Sequence, residues 1–125
     1  MPAAFANPDL RGFDGKTNYL AAVGKSCILN GTPQGIPFAS ISDGTSRTVL
    51  LVEADPDQAV EWSKPVDWNF NPEQPIVGLG HMRPGGWLVG WADGRVTKIS
   101  NQTDPQTVNA IFTRNGREVV QWPLP

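Results

Sequence analysis

The chain has 125 residues, of which 39% are hydrophobic and 18% charged, enough apolar content for one packed core and too much for a disordered chain. A net charge of −2 and a pI near 5.2 leave no basic stripe for a phosphate backbone, so no nucleic-acid partner is expected. The lone cysteine, Cys27, excludes an internal disulfide and any Cys-x-x-Cys site.

Thirteen Gly and twelve Pro are spread along the chain, which predicts many tight turns between short strands rather than one linker. Residues 1–16 hold Pro, Gly and Asn with few clustered hydrophobics, and read as a flexible or surface-hugging lead-in. A single globular domain is expected over 17–122, with a short tail at 123–125. The alternation of Tyr19, Ala21 and Val23 predicts a first strand over 17–23. A Gly/Pro/Asn-rich loop follows over 24–37, then a helical turn over 38–41 stopped at Asp43-Gly44.

Residues 48–53 (TVLLVE) predict a central strand covered on both faces. The apolar part, 49–52, is far too short to cross a bilayer, which takes roughly 20 residues. An acidic loop over 54–58 leads to a short strand over 59–62. Pro65, Pro72 and Pro75 then punctuate a long irregular excursion ending near Gly80, of a length that often carries function.

Residues 86–100 (GWLVGWADGRVTKIS) predict a hairpin, with Asp93-Gly94 as a two-residue type I′ turn. That register sets Trp91 against Val96 and Leu88 against Ile99, and is expected to bury Leu88 and Val96. A helix is expected over 104–115, with Asp104 as N-cap, Pro105 in the first turn, and Gly116 as a left-handed stop. Its apolar stripe is Val108, Ile111 and Phe112. A last strand over 118–122 ends at Pro123. The order predicts an α+β fold, an antiparallel sheet with one C-terminal helix packed on a face, and many loops.

His81 is the sole histidine, so any Ser-His or Cys-His system must use it. Ser42, Ser46 and Cys27 lie in no nucleophile motif, and hydrolysis dependent on His81 is not expected. Glu53, Asp55 and Asp57 alternate, so an extended backbone would set three carboxylates on one side, a possible calcium site; the plainer reading is a solvated acidic turn with Glu53 paired to Lys64. No other cofactor is expected. Asp67 and Glu61, near Trp62 and Trp68, are a weak carboxylate pair for glycoside cleavage. Five Trp residues could stack on sugar rings, anchor a partner, or fill a thin core. Core filling is favoured for Trp62 and Trp91, while Trp68 and Trp122 stay open.

Five collinear segments carry a resemblance: TNYLAAVG, FASISDGTSRTVLLVEA, VEWSKPVDW, GLGHMRPGGWLVGWADGRVTKIS and DPQTVNAIFTRNGREVV. Over about residues 16–120 the chain resembles a large planctomycete family of unknown function whose members look like pseudopilins. These have a prepilin-type N-terminal helix followed by a globular domain ending in this signature. The family is also grouped with bacterial solute-binding proteins. Its hallmark is His, nine residues, then Asp-Gly. Here Asp93-Gly94 supplies the Asp-Gly, Arg83 stands in the histidine's place, and His81 lies two positions earlier. Arg83 can replace the histidine as an N–H donor but not as a base.

The resemblance implies a pilin-like ectodomain outside the cytoplasmic membrane, in the cell envelope, whose anchor helix lies outside this chain. It implies a noncatalytic assembly or interaction role with other envelope or pilin-like subunits. The alternatives are a carbohydrate- or solute-binding module using Trp62, Trp68 and Trp87 with His81 and Arg83, and, third, a small hydrolase. Asp43, Gly44, Lys64, Asp93 and Gly94 are the shared structural positions.

Overall fold

The computed structural model describes residues 1–12 and 14–116; the strand expected over 118–122, with Trp122, lies outside them. Among the described residues the strands are β1 (Lys16–Thr17), β2 (Tyr19–Val23), β3 (Val49–Glu53), β4 (Val60–Glu61), β5 (Trp68–Asn69), β6 (Gly86–Trp91) and β7 (Val96–Ser100), and the helix is α1 (Pro105–Phe112). β1 pairs with β4, and the main sheet has the order β5-β2-β3-β6-β7. Its pairings are antiparallel except that of β2 with β5. A mostly antiparallel sheet followed by one helix makes the fold α+β.

The expected first strand divides in two. Asn18 is fully buried, donates its Nδ2 to the Ala54 carbonyl at 2.8 Å, and accepts from the Ala54 N–H at 2.8 Å. Those bonds turn the chain out of the small sheet and into the large one. The strand expected over 59–62 shortens to β4. The excursion beyond it contains β5, held parallel to β2, with Trp68 Nε1 donating to the Val77 carbonyl at 2.8 Å.

β3 is the central strand, and the pleat sends its side chains to two different environments. Val49 and Val52 face the core, while Leu51 lies on the other face and is 44% exposed. The pairing with β6 slips between Val49 and Leu51, a bulge opposite Trp91 and Gly90. Cover on both faces is therefore realised at Glu53, which is buried, but not at Leu51. The core face packs Leu20, Ala22, Val52, Val89 and Ile99 with Val108, Ile111 and Phe112 of the helix. Phe112 stacks on Trp87 at 5.9 Å and meets Trp68 at 5.1 Å.

Residues 86–100 form a hairpin with a different turn from the one expected. Gly94 N–H donates to the Trp91 carbonyl and Trp91 N–H to the Arg95 carbonyl, both at 2.9 Å. The loop is thus Ala92-Asp93-Gly94, a turn closed by a glycine at φ 94°, not a two-residue type I′ turn. One extra loop residue shifts the pairing by one: Gly90 faces Val96, Leu88 faces Lys98 and Trp87 faces Ile99. Because side chains alternate, that shift puts Val96 on the outer face at 68% exposure, with Leu88 half-buried beside it. The expectation that both are buried is corrected.

The helix starts as expected, with Asp104 accepting from Gln106 N–H at 3.1 Å. It stops earlier, at Phe112, with Thr113 extended at φ −89° and ψ 134°. Arg114 explains the early stop. Its N–H donates to the Ser26 carbonyl at 2.9 Å, and its Nη1 donates to the carbonyls of Lys25 and Cys27 at 2.9 and 2.6 Å. Those bonds to the 25–27 loop replace the left-handed stop at Gly116. Among the described residues no helix is long and apolar enough to cross a membrane.

Candidate functional site

The outer face of the sheet carries the groups of most chemical interest. Glu53, at the end of β3, has a side chain 1% exposed. Arg83 meets it as a fork, Nε to Oε1 and Nη2 to Oε2, both at 2.7 Å. Asn7 adds its Nδ2 to Oε2 at 2.8 Å and to Asn18 Oδ1 at 3.1 Å, and Arg83 Nη1 reaches Asp9 at 2.8 Å. A desolvated carboxylate needs this many donors. The bonds to Glu53, and after them the one to Asp9, raise the guanidinium pKa further above its already high range.

The predicted pairing of Glu53 with Lys64 is therefore corrected: the partner is Arg83, and Lys64 is exposed. Arg83 bridges to Gly86 at the entrance of β6, the strand next to β3, which brings the guanidinium over the end of β3. Asn7, Asp9 and Asn18 were not singled out from sequence, because isolated polar residues in a lead-in give no periodic signal.

Asp55 is buried two residues further on. It accepts from His81 N–H at 2.6 Å through Oδ1, and its Oδ2 lies 2.8 Å from His81 Nδ1. The supporting loop is built closely: Asp55 N–H donates to the Gly78 carbonyl at 2.7 Å, and Gly80, at φ 91°, leaves room for Asn101, where a Cβ would sit 2.7 Å from Asn101 Oδ1. The imidazole itself is 83% exposed. The Asp55 hydrogen bond, and then its charge, raise the His81 pKa. This gives an oriented imidazole with one nitrogen on a carboxylate. Among the described residues no serine, threonine or cysteine hydroxyl or thiol is hydrogen-bonded to it. Cys27 is buried elsewhere, and burial pushes its thiol up to about 11 despite the nearby Arg114.

The three alternating acids do not converge. Glu53 is held by Arg83 and Asn7, Asp55 by His81, and Asp57 sits exposed in a short 3-10 turn (Pro56–Gln58) that ends the extended run. Among the described residues no group of three or more His, Cys, Asp or Glu is placed to hold a metal ion. The row of Trp faces is also corrected. Trp68 and Trp87 are core residues, and so is Trp91, whose Nε1 donates to Thr97 Oγ1 at 2.8 Å. Trp62, expected inside, is 42% exposed and stacks on Phe5 at 5.9 Å and 17°.

The Asp-Gly pairs at 43–44 and 93–94 serve structure. Asp43 accepts from Gly116 N–H at 3.1 Å, Gly44 turns the chain at φ 91°, and Asp93 receives both the N–H and the Nε of Arg95. Burial does not hold Asp93; the Arg95 N–H, the first of its partners, lowers its pKa.

Beyond Glu53 the outer face opens into an apolar trough of about 450 Å³, bordered by Phe5, Tyr19, Leu51, Leu88, Gly90 and Val96. Comparison of the chain with protein-family models, with curated proteins and with solved structures finds no match.

Proposed function

We propose that this domain is a noncatalytic assembly or interaction ectodomain of a membrane-anchored, pseudopilin-like protein of the cell envelope. The observation that carries the interaction part is the Phe5–Trp62 pair, stacked yet 46% and 42% exposed. Large aromatic side chains held rigid at a surface are the anchors that dominate protein–protein contacts. The pilin-like and envelope parts are supported by the collinear motifs, above all Pro84-Gly85-Gly86 and Asp93-Gly94 at their family spacing.

Arg83 fits that reading as a structural substitution. Where the family pattern has histidine, this chain uses a guanidinium to hold Glu53, and it offers no base at that position. A photo-crosslinking residue at position 62 of the full-length protein, activated in its native envelope, tests the proposal. A crosslink to a pilin-like or other envelope subunit is expected, and it should vanish when Phe5 is replaced by Ala. Crosslinks to lipid or to no macromolecule would overturn the assembly reading.

A further inference from the structure

We infer that the trough on the outer sheet face is a binding site for one small uncharged hydrocarbon chain, such as a medium-length alkyl alcohol. This goes beyond the assembly reading and does not depend on it. The space, about 450 Å³, falls within the roughly 300–1,000 Å³ of small-molecule sites. Its walls are concave and almost wholly apolar, a shape and lining that suit a small apolar molecule.

Its floor points the same way. Gly90 lies in β6, on the same face as Leu88 and opposite Val96, and its missing side chain creates the depth. Glycine inside a strand marks a bulge or a place where another group approaches the backbone closely, and Gly90, which lies opposite the β3 bulge, leaves the trough deep at this point. No left-handed angle requires glycine here, and a Cβ would meet nothing nearer than Leu51 Cβ at 3.4 Å. Charge selects the class of ligand. Glu53 is the one charged residue in the lining, and Arg83 and Asn7 already satisfy it. A carboxylate or ammonium headgroup would therefore gain no partner in the lining, whereas a hydrocarbon chain would cover Leu51 and Val96, which now face water.

The test uses the neutral fluorophore 1-N-phenylnaphthylamine, with decan-1-ol and decanoate as competitors. Saturable binding of one probe per chain is expected, displaced by decan-1-ol at concentrations about ten-fold lower than decanoate. Gly90→Val fills the floor and should weaken binding about ten-fold or more, with an unchanged circular dichroism spectrum. Val96→Asp, at a position 68% exposed and so harmless to folding, should weaken it as well. Probe binding that both variants leave unchanged would overturn the inference. So would equal displacement by decanoate, no saturable binding in the parent, or a doubled mass in light scattering that closes the face to the probe. The first three leave crosslinking at position 62 untouched, whereas a doubled mass would bear on both, because Phe5 borders the trough and stacks on Trp62.

Discussion

Glu53 is a carboxylate at the end of the sheet's central strand, and its cost is offset by three donors from two distant segments. Two Arg83 nitrogens and Asn7 Nδ2 lie within 2.8 Å of its oxygens. Removing one partner of such a pair leaves the other charge stranded in a dry site. Glu53→Gln should destabilise the domain by about 3 kcal/mol in urea unfolding. Lys64→Ala, at an exposed residue, should stay within about 0.5 kcal/mol. Equal effects of the two would restore the Lys64 pairing. His81 gives a pH signature instead. Its pKa is raised in the folded protein, so the folded state holds the proton more tightly than the unfolded chain, where it titrates near ~6.5. The pair's contribution is full below that value and fades as pH rises through the folded pKa. The loss of melting temperature in His81→Ala should accordingly be larger at pH 6 than at pH 9, and a pH-independent loss would show that the backbone bond to Asp55 does all the holding.

At the scale of elements, the turn decides what the strands can do. The hairpin was legible because two β-rich runs flank Asp93-Gly94. The register was not, because a two-residue and a three-residue loop share that dipeptide and differ by one position. Nothing local distinguishes them; the choice is tied to Asp93 N–H donating to the Thr45 carbonyl and Ala92 N–H to the Thr48 carbonyl, contacts from β3's approach. The helix repeats the lesson. Its start is written in Asp104-Pro105, whereas its end is set by Arg114 reaching the 25–27 loop. Gly94→Ala forces a Cβ into φ 94° with open space around it, so the penalty is purely conformational, about 1 kcal/mol. Equilibrium unfolding should show that loss with the sheet intact. No loss would mean that the turn gives up the positive φ at position 94 at no cost.

The whole molecule is closed by contacts that no window of sequence contains. The α+β order and the core stripe of α1 follow from periodicity, whereas the shared burial of Val49 and Val52, three residues apart, accompanies the bulge between Val49 and Leu51 that no alternation shows. Trp68 stays open between core and surface in the sequence, and Trp87 reads as a candidate sugar-stacking face, because their burial depends on where Phe112 lands. The lead-in is the clearest case. Its composition reads as loose, yet Asn7 is buried and binds both Glu53 and Asn18, while Phe5 stacks on Trp62. The first ten residues act as a strap across the outer face, closing the Glu53 end and leaving the Leu51 end open. Deleting residues 1–10 should therefore destabilise the domain by about 2 kcal/mol, chiefly through the lost hydrogen bond from Asn7 to a charged acceptor. The decisive readout is coupling. If the strap works through Glu53, its deletion and Glu53→Gln will fall well short of additive in a double-mutant cycle. Deletion combined with Gly94→Ala, at the far end of the hairpin, will add to within about 0.5 kcal/mol. Additivity in both cycles would reduce the strap to a tether whose contacts with Glu53 contribute nothing to the fold.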